Sequence, residues 1–285
     1  MTYSDPSVLV STDWLADNLQ APDMRVVDAS WYLPAMNRNP RMEYAKAHIP
    51  GAVYFDIDEI ADKDSPYPHA LPRPEQFSMQ VRKLGLGDGN LIIVYDGAGI
   101  FSAPRVWWMF RYFGHRDVAV LDGGMPKWLK EGRSTESLEP MPQERNFTPQ
   151  VDNTLARNLR QMKQIVERGD RQIVDARSHD RFTGKATEPR PDLPSGHIPG
   201  SVNLPFQNLQ DPETGTMLPA DSLRAAFESV GIDLQKPVIT TCGSGISACT
   251  LALGLNLLGH KDISVYDGSW SEWAAQKNAA VATGP

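Results

Sequence analysis

The chain has 285 residues, of which 41% are hydrophobic and 22% are charged, and its formal net charge is −7. This length is enough for two ordinary domains that each bury a core, so global disorder is not expected. The excess of acidic residues argues against nucleic acid or an anionic membrane as the main partner, because both attract clustered Lys and Arg. Small solutes and other proteins remain as partners.

Targeting and metal-binding signals are absent from the sequence. No run of 18 apolar residues occurs, and the first 24 residues contain no Lys or Arg ahead of an apolar stretch. The sequence therefore predicts neither a membrane-spanning helix nor a secretory signal, and we expect a cytoplasmic protein. The two cysteines, Cys242 and Cys249, have no histidine nearby, which argues against a zinc site.

An internal repeat divides the chain. The first half contains, in order, VVDAS, HIPGAVYFD, LIIVYDG, FGHRDVAVLDGG and then Trp128. The second half contains IVDAR, HIPGSVNLPF, PVITTCG, LGHKDISVYDGS and then Trp273. Corresponding residues lie 145 to 149 positions apart throughout. An ordered set of matches at a nearly constant offset indicates two tandem copies of the same unit.

Each half alternates short β-branched runs with longer helical patterns. Residues 91–95 and 237–241 are examples of the former, and residues 103–113 and 248–258 of the latter. This alternation predicts parallel strands covered by helices, so the expected class is α/β in both halves.

Three prolines among polar residues in the stretch 134–153 predict a linker. We therefore expect domains at residues 1–133 and 154–285.

The stretch TTCGSGISAC is the most chemically specific part of the sequence. Cys242 follows a β-rich run and precedes a Gly-Ser-Gly loop and a helical pattern. Main-chain N–H groups of such a loop can converge on the sulfur at the start of the helix, which favours a thiolate. The alternative is an inert buried cysteine, the common state of free Cys. Asp96 stands at the corresponding position of the first half, which therefore lacks the nucleophile.

Together, the duplicated HIPG motifs, the strand–Cys–loop–helix order and the closing DGS-x-x-W resemble the tandem rhodanese sulfurtransferases over nearly the whole chain. The resemblance implies two tandem rhodanese-like domains, each a parallel sheet flanked by helices, of which only the second is catalytic. Thiosulfate-using members carry basic residues directly after the cysteine. The loop CGSGISAC is instead similar to that of the 3-mercaptopyruvate branch, because it is neutral there.

The same resemblance implies roles for individual residues. It matches Cys242 to the nucleophile that carries sulfur as a persulfide. It matches Arg181 and Arg190 to the groups that hold the donor's carboxylate and carbonyl oxygen. The substrate-binding loop is matched by Gly243, Gly245, Ile246 and Ser247. A proton relay is matched by Ser244, His69 and Asp58.

For several of these residues an ordinary structural role is the alternative. Asp58 can be a helix cap or a surface carboxylate, and His69 can be a turn residue beside Pro68. Arg181 and Arg190 can belong to a solvated basic loop.

The expected reaction is transfer of sulfane sulfur from 3-mercaptopyruvate, a small 2-oxo thiol, to a thiol such as thioredoxin or to cyanide. Pyruvate is released. No metal or organic cofactor is expected, because the cysteine carries the transferred group. The alternatives are a thiosulfate sulfurtransferase and a non-catalytic module that binds a partner or carries sulfur. A phosphatase of the same fold needs an arginine six positions after the cysteine, where Ala248 stands.

Overall fold

The computed structural model describes residues 2–190 and 192–285 and contains two five-stranded sheets. All strand pairs are parallel. The first sheet has the strand order β1-β5-β4-β2-β3 and the second has the equivalent order β6-β10-β9-β7-β8. The strands are β1 Leu9–Val10, β2 Met24–Asp28, β3 Val53–Tyr54, β4 Leu91–Tyr95, β5 Val118–Leu121, β6 Ala156–Arg157, β7 Gln172–Asp175, β8 Ser201–Asn203, β9 Val238–Thr241 and β10 Ile263–Tyr266.

Helices connect successive strands on both faces of each sheet, as parallel pairing requires. The helices are α1 Thr12–Asn18, α2 Pro40–Lys46, α3 Pro74–Lys83, α4 Ala103–Tyr112, α5 Gly124–Lys130, α6 Leu159–Arg168, α7 His179–Thr183, α8 Ala220–Ser229, α9 Ala248–Leu257 and α10 Ser269–Trp273. Short 3-10 turns lie at Pro6–Val8, Pro34–Met36 and Phe206–Leu209. Within the described residues, no helix is both long and apolar enough to cross a membrane.

The predicted α/β class and the tandem parallel sheets are confirmed. The central strands β4 and β9 are buried along almost their whole length, which explains their continuous apolar or β-branched sequences. Each runs directly into a loop and then into a helix that is buried on nearly every side. Asp96 and Cys242 therefore lie at equivalent places, at the carboxyl ends of the two central strands.

The segment between the domains lies against the first domain. The N–H of Asp88 donates to the carbonyl of Asn146 at 2.7 Å, and the N–H of Gln150 donates to the carbonyl of Phe113 at 2.8 Å. Phe147 is buried among the aromatic side chains of the first core. This connection is an ordered strap, because its apolar residue and its backbone both find partners.

The interface between the domains is built around α4 and α9, which pack against each other. Apolar side chains of both helices belong to one continuous core cluster that spans the two halves. Polar contacts cross the same interface: Gln210 Nε2 donates to the carbonyl of Ile100 at 2.6 Å, and Thr250 Oγ1 lies 3.5 Å from the carbonyl of Phe101. The two loops that follow β4 and β9 are therefore held at a shared buried boundary.

A loop from each domain also crosses to the other in a symmetric way. The N–H of Leu71 donates to Asp267 at 2.8 Å, and the N–H of Met217, its repeat counterpart, donates to Asp122 at 2.8 Å. Burial raises the pKa of Asp122 to about 6, and the hydrogen bond from Met217 offsets part of this effect. Asp122 therefore carries an unfavourable charge at neutral pH.

Replacing Asp122 with Asn should stabilise the protein only where the carboxyl group is ionised. The carboxyl pKa is about 6 in the folded chain and about 3.9 in the unfolded chain. The folded state thus binds more protons in this window, and stability falls as pH rises through it. Asn keeps the oxygen that accepts from Met217. We expect Asp122→Asn to raise the free energy of unfolding by about 1 to 3 kcal/mol at pH 8 and to have little effect near pH 4.

Urea unfolding of both proteins at the two pH values measures this difference. An equal gain at both pH values would show that the effect does not come from the carboxylate charge.

Candidate active site

The Cys242 side chain lines a cavity of about 140 Å³ between the two domains. Cys242 follows β9 directly, and its residue surface is only 2% exposed. Trp31 and Phe101 of the first domain and Arg181 and Arg190 of the second line the same cavity. The sulfur is therefore shielded from bulk water but faces a space large enough for a small molecule.

Three carbonyl groups of the segment 242–245 accept hydrogen bonds from groups outside the cavity lining. Cys242 O accepts from the N–H of Trp270 at 3.0 Å, and Gly243 O accepts from the N–H and the hydroxyl of Ser271 at 2.9 and 2.6 Å. Gly245 O accepts from Arg105 Nη1 at 3.3 Å and from Cys249 Sγ at 3.2 Å. In the described structure, the N–H groups of residues 243 to 248 have no hydrogen-bond acceptor. These donors remain available to an anion at the end of β9.

The first domain shows what the same loop does when an anion is present. Asp96 occupies the position of Cys242 and is fully buried. Its carboxylate accepts four main-chain hydrogen bonds, from Ala98, Phe101, Ser102 and Ala103, at 2.8 to 2.9 Å. Among the described residues, no cationic side chain forms an ion pair with it. The loop amides are therefore the direct hydrogen-bond partners of this carboxylate, as in main-chain anion sites elsewhere.

A second feature is a chain of hydrogen bonds that joins the two domains. His69 Nδ1 lies 2.9 Å from Ser244 Oγ, and His69 Nε2 lies 2.9 Å from Asp58 Oδ1. Since a carboxylate only accepts, Nε2 of the neutral ring carries the proton and Nδ1 accepts from the Ser244 hydroxyl. The hydrogen bond from His69 is the main cause that lowers the pKa of Asp58. The predicted relay residues thus lie in one connected line.

Trp31 fixes the outer end of this line. Its indole Nε1 donates to both carboxylate oxygens of Asp58, at 3.2 and 3.1 Å. Its ring meets the His69 ring edge to face, with centroids 4.8 Å apart. The imidazole is therefore held between an oriented carboxylate and an aromatic wall.

The two predicted arginines have different surroundings. Arg181 Nη2 lies 2.5 Å from Glu188 Oε2, and Arg177 Nη1 lies 2.7 Å from Glu188 Oε1. Asp175 pairs with Arg177 in turn. Arg190 forms no ion pair within the described residues, and its pKa is lowered first by burial and then by the nearby Arg181 charge. Arg190 therefore carries the uncompensated positive charge at the cavity.

Comparison with known proteins then gives the family. The model of the rhodanese-like domain matches residues 11–131 and 158–276. The chain belongs to the rhodanese family. The family predicted from the duplicated motifs is confirmed, and so is an enzyme of the sulfurtransferase class.

Relatives of this rhodanese carry two kinds of name. The chain is 43% identical to the human 3-mercaptopyruvate sulfurtransferase, over 93% of this chain and 91% of the relative. It is 46% identical to the bovine thiosulfate sulfurtransferase, over 93% and 91%. The solved structure of SseA from Escherichia coli, described as a 3-mercaptopyruvate sulfotransferase, superposes with a TM-score of 0.85 at 36% identity, over 92% of this chain and 98% of that one.

The predicted site residues of this rhodanese are brought together with one difference. The cavity lining includes Cys242, Gly243, Ser244, Ile246, Ser247, Arg181 and Arg190. Asp58 and His69 reach it through Ser244. Gly245 is not among the lining residues. Its φ of 81° makes the turn of the loop, and its carbonyl points away toward Arg105.

Sequence reasoning missed three residues that organise this rhodanese site, namely Trp31, Glu188 and Arg105. Glu188 had a signal, because it lies between the two arginines in the same short stretch and is the natural partner of one of them. Trp31 and Arg105 act across the domain interface, and no local pattern marks their partners.

Removing the two cavity arginines should have unequal effects on stability. Arg181→Gln leaves part of the buried Glu188 carboxylate without its partner, so we expect a loss of about 1 to 3 kcal/mol. Arg190→Gln removes an unpaired charge beside Arg181, so we expect no loss beyond about 0.5 kcal/mol. Urea unfolding at neutral pH compares the two variants with the parent. Equal losses would contradict the assignment of Arg190 as the unpaired cation.

Proposed function

We propose that this member of the rhodanese family is a 3-mercaptopyruvate sulfurtransferase. The observation that carries the proposal is the charge arrangement at the cavity, where a neutral Gly243 and Ser244 follow the cysteine and Arg190 is the uncompensated cation. A 2-oxo acid with one carboxylate matches one free guanidinium. Thiosulfate is a dianion and favours additional positive charge next to the sulfur. Overall identity does not choose the donor, since relatives with either name are similarly close.

The loop sequence supports this assignment sterically as well. A Cβ atom added at Gly243 would lie 2.9 Å from Arg181 Nη2. Glycine therefore lets this guanidinium come close to the cysteine loop, while Glu188 sets its orientation. In the proposed complex Arg190 binds the donor carboxylate, and Arg181 faces its carbonyl oxygen, where charge develops during the reaction.

The transfer step conserves atoms and charge. The Cys242 thiolate attacks the sulfur of 3-mercaptopyruvate, and the carbon–sulfur bond breaks with its electron pair going to the pyruvate enolate. The proton of the donor thiol passes to the enolate carbon by way of Ser244 and His69, since the Ser244 hydroxyl is already hydrogen bonded to the imidazole. The products are pyruvate and an anionic persulfide on Cys242.

The main-chain donors of residues 244, 247 and 248 suit this persulfide, because their counterparts at residues 98, 101 and 102 donate to the Asp96 carboxylate in the first domain. A second thiophile then removes the outer sulfur and restores the thiolate. We propose a thiol acceptor such as thioredoxin, with cyanide as a small substitute, and a cytoplasmic location.

The half-reaction gives a direct test. Exposure to 3-mercaptopyruvate without an acceptor should release one pyruvate per chain and add about 32 Da, the mass of one sulfur, to the peptide that contains Cys242. We expect kcat/KM for 3-mercaptopyruvate to exceed that for thiosulfate by at least about tenfold, since one free cation recognises the monoanion. Intact and peptide mass spectrometry and a pyruvate assay measure these quantities.

Two variants control the experiment. Cys242→Ala should abolish both signals, whereas Cys249→Ala should retain them, because Cys249 is fully buried and its thiol donates to Gly245. A preference for thiosulfate would instead identify a thiosulfate sulfurtransferase. Absence of a mass gain with either donor would favour a non-catalytic rhodanese-fold module.

A further inference from the structure

A fully buried arginine of the first domain touches both halves of the site. Arg105 lies on α4 and has no exposed surface. Its Nη2 donates to the carbonyl of His69 at 2.5 Å, and its Nη1 lies 3.3 Å from the carbonyl of Gly245 in the cysteine loop. Its Nη2 also lies 2.8 Å from Asp267 Oδ1. One guanidinium thus contacts the relay segment, the cysteine loop and the end of β10.

The geometry points to Arg105 as a positioning residue that holds the His69 segment against the Cys242 loop so that the imidazole meets Ser244. Arg105 touches neither Cys242 nor Ser244, so it acts through the backbone of other residues. The inference rests on the proposed function, because it assigns a role within the same site.

His69 needs such a support because its backbone is strained. Its φ of 61° lies in the left-handed region, which costs a non-glycine residue about 1 to 2 kcal/mol. The repeat counterpart is Gly215, whose φ is 69°. Glycine adopts this conformation freely, so the second domain makes the same turn without a support. The first domain places an imidazole there, and the short hydrogen bond from Arg105 to its carbonyl stabilises the turn.

Asp267 ties the same segment down at a second point. Its Oδ2 accepts from the N–H of Leu71 at 2.8 Å, while its Oδ1 faces Arg105. The ion pair therefore holds both a carbonyl and an amide of the residues 69–71. This segment comes from the first domain, whereas Asp267 and the cysteine loop come from the second.

The cysteine loop is seated closely on the same ion pair. Gly245 has a φ of 81°, and a Cβ atom there would lie 3.0 Å from Arg105 Nη1 and 2.7 Å from the carbonyl of Asp267. The contact with Arg105 draws the Gly245 carbonyl away from the sulfur. This orientation keeps a negative dipole end out of the anion site.

The repeat provides an internal comparison that separates this role from general packing. The counterpart of Arg105 in α9 is Leu251, which is also fully buried. The counterpart of Asp267 is Asp122, which accepts from Met217 without a guanidinium partner among the described residues. The first domain therefore has no buried arginine from the partner helix at its loop; the arginine that contacts this loop is Arg38, which is partly exposed and donates to the Gly97 carbonyl at 3.0 Å. Of the two equivalent helix positions, the one that holds a fully buried arginine is the one that contacts His69 and the cysteine loop.

A double-mutant cycle on the full-length protein tests this inference. We expect Arg105→Gln to slow single-turnover pyruvate release at least about tenfold by displacing His69, and His69→Asn to slow it by a similar or larger factor. In the His69→Asn background, Arg105→Gln should then change the rate less than about twofold, because the group it positions is gone. Multiplication of the two factors would overturn the inference, since it would indicate independent effects.

Arg105→Gln removes one partner of a buried ion pair and leaves the Asp267 carboxylate without its cation, which can prevent folding. A second variant keeps the inference testable in that case. Asp267→Asn keeps an acceptor for Leu71 and the shape of the side chain, and it should show the same non-additivity with His69→Asn. Arg105→Lys should recover part of the rate, since one ammonium can reach fewer acceptors than the guanidinium.

Hydrogen exchange provides a readout that needs no sulfur donor. Arg105→Gln or Asp267→Asn should speed exchange of the Leu71 N–H, which donates to Asp267, together with the N–H groups of Trp270 and Ser271, which donate to the cysteine-loop carbonyls, although the two segments lie in different domains. Arg111→Gln is the matched control, since Arg111 is on the same helix and stacks over Trp107 without touching the site. Unchanged exchange in both segments would overturn the positioning role. If the parent enzyme released no pyruvate while exchange responded as expected, the proposed donor would be wrong and the positioning role would stand.

Discussion

The structure depends on one constraint, the orientation of the peptide groups in the loop that follows each central strand. Carbonyl groups of the second loop point outward to Trp270, Ser271 and Arg105, so the remaining N–H groups are left for an anion. The first domain realises the same arrangement with a carboxylate, since Asp96 accepts four main-chain hydrogen bonds. Such preorganised donors need no reorganisation when charge appears on a sulfur, which is the condition for effective electrostatic stabilisation.

The two copies of the fold have separate tasks. The second domain supplies the cysteine loop and the arginines, while the first supplies the imidazole, the carboxylate that orients it and the guanidinium that supports it. Neither domain holds a complete site, because the cavity forms only where α4 and α9 bring the loops together. The continuous apolar core across this interface explains how groups from distant parts of the chain keep hydrogen-bond geometry. The first domain, which has Asp96 in place of the cysteine, forms one wall of this cavity through Trp31 and Phe101.

Much of the fold was predictable because a repeat leaves its pattern in the order and spacing of motifs. The strand that precedes Cys242 and the helix that follows it were also readable locally. His69 and Asp58 were assigned only through family resemblance, since contacts across 175 residues, such as His69 with Ser244, have no signature in one sequence. Arg105 was missed for the same reason, although an arginine within a strongly apolar helix, opposite a leucine in the other copy, marks a buried charge that needs partners.

The central claim is that the amide cradle of the second domain holds negative charge, and a carboxylate placed there tests it most directly. Cys242→Asp reproduces the arrangement of Asp96, whereas Cys242→Asn has the same shape without the charge. We predict that Cys242→Asp is more stable than Cys242→Asn by about 1 to 3 kcal/mol in urea unfolding at pH 8, since the main-chain donors favour the charged acceptor. A Cys242→Asp protein that is less stable than Cys242→Asn, and recovers only when acid neutralises the carboxylate, would contradict the account.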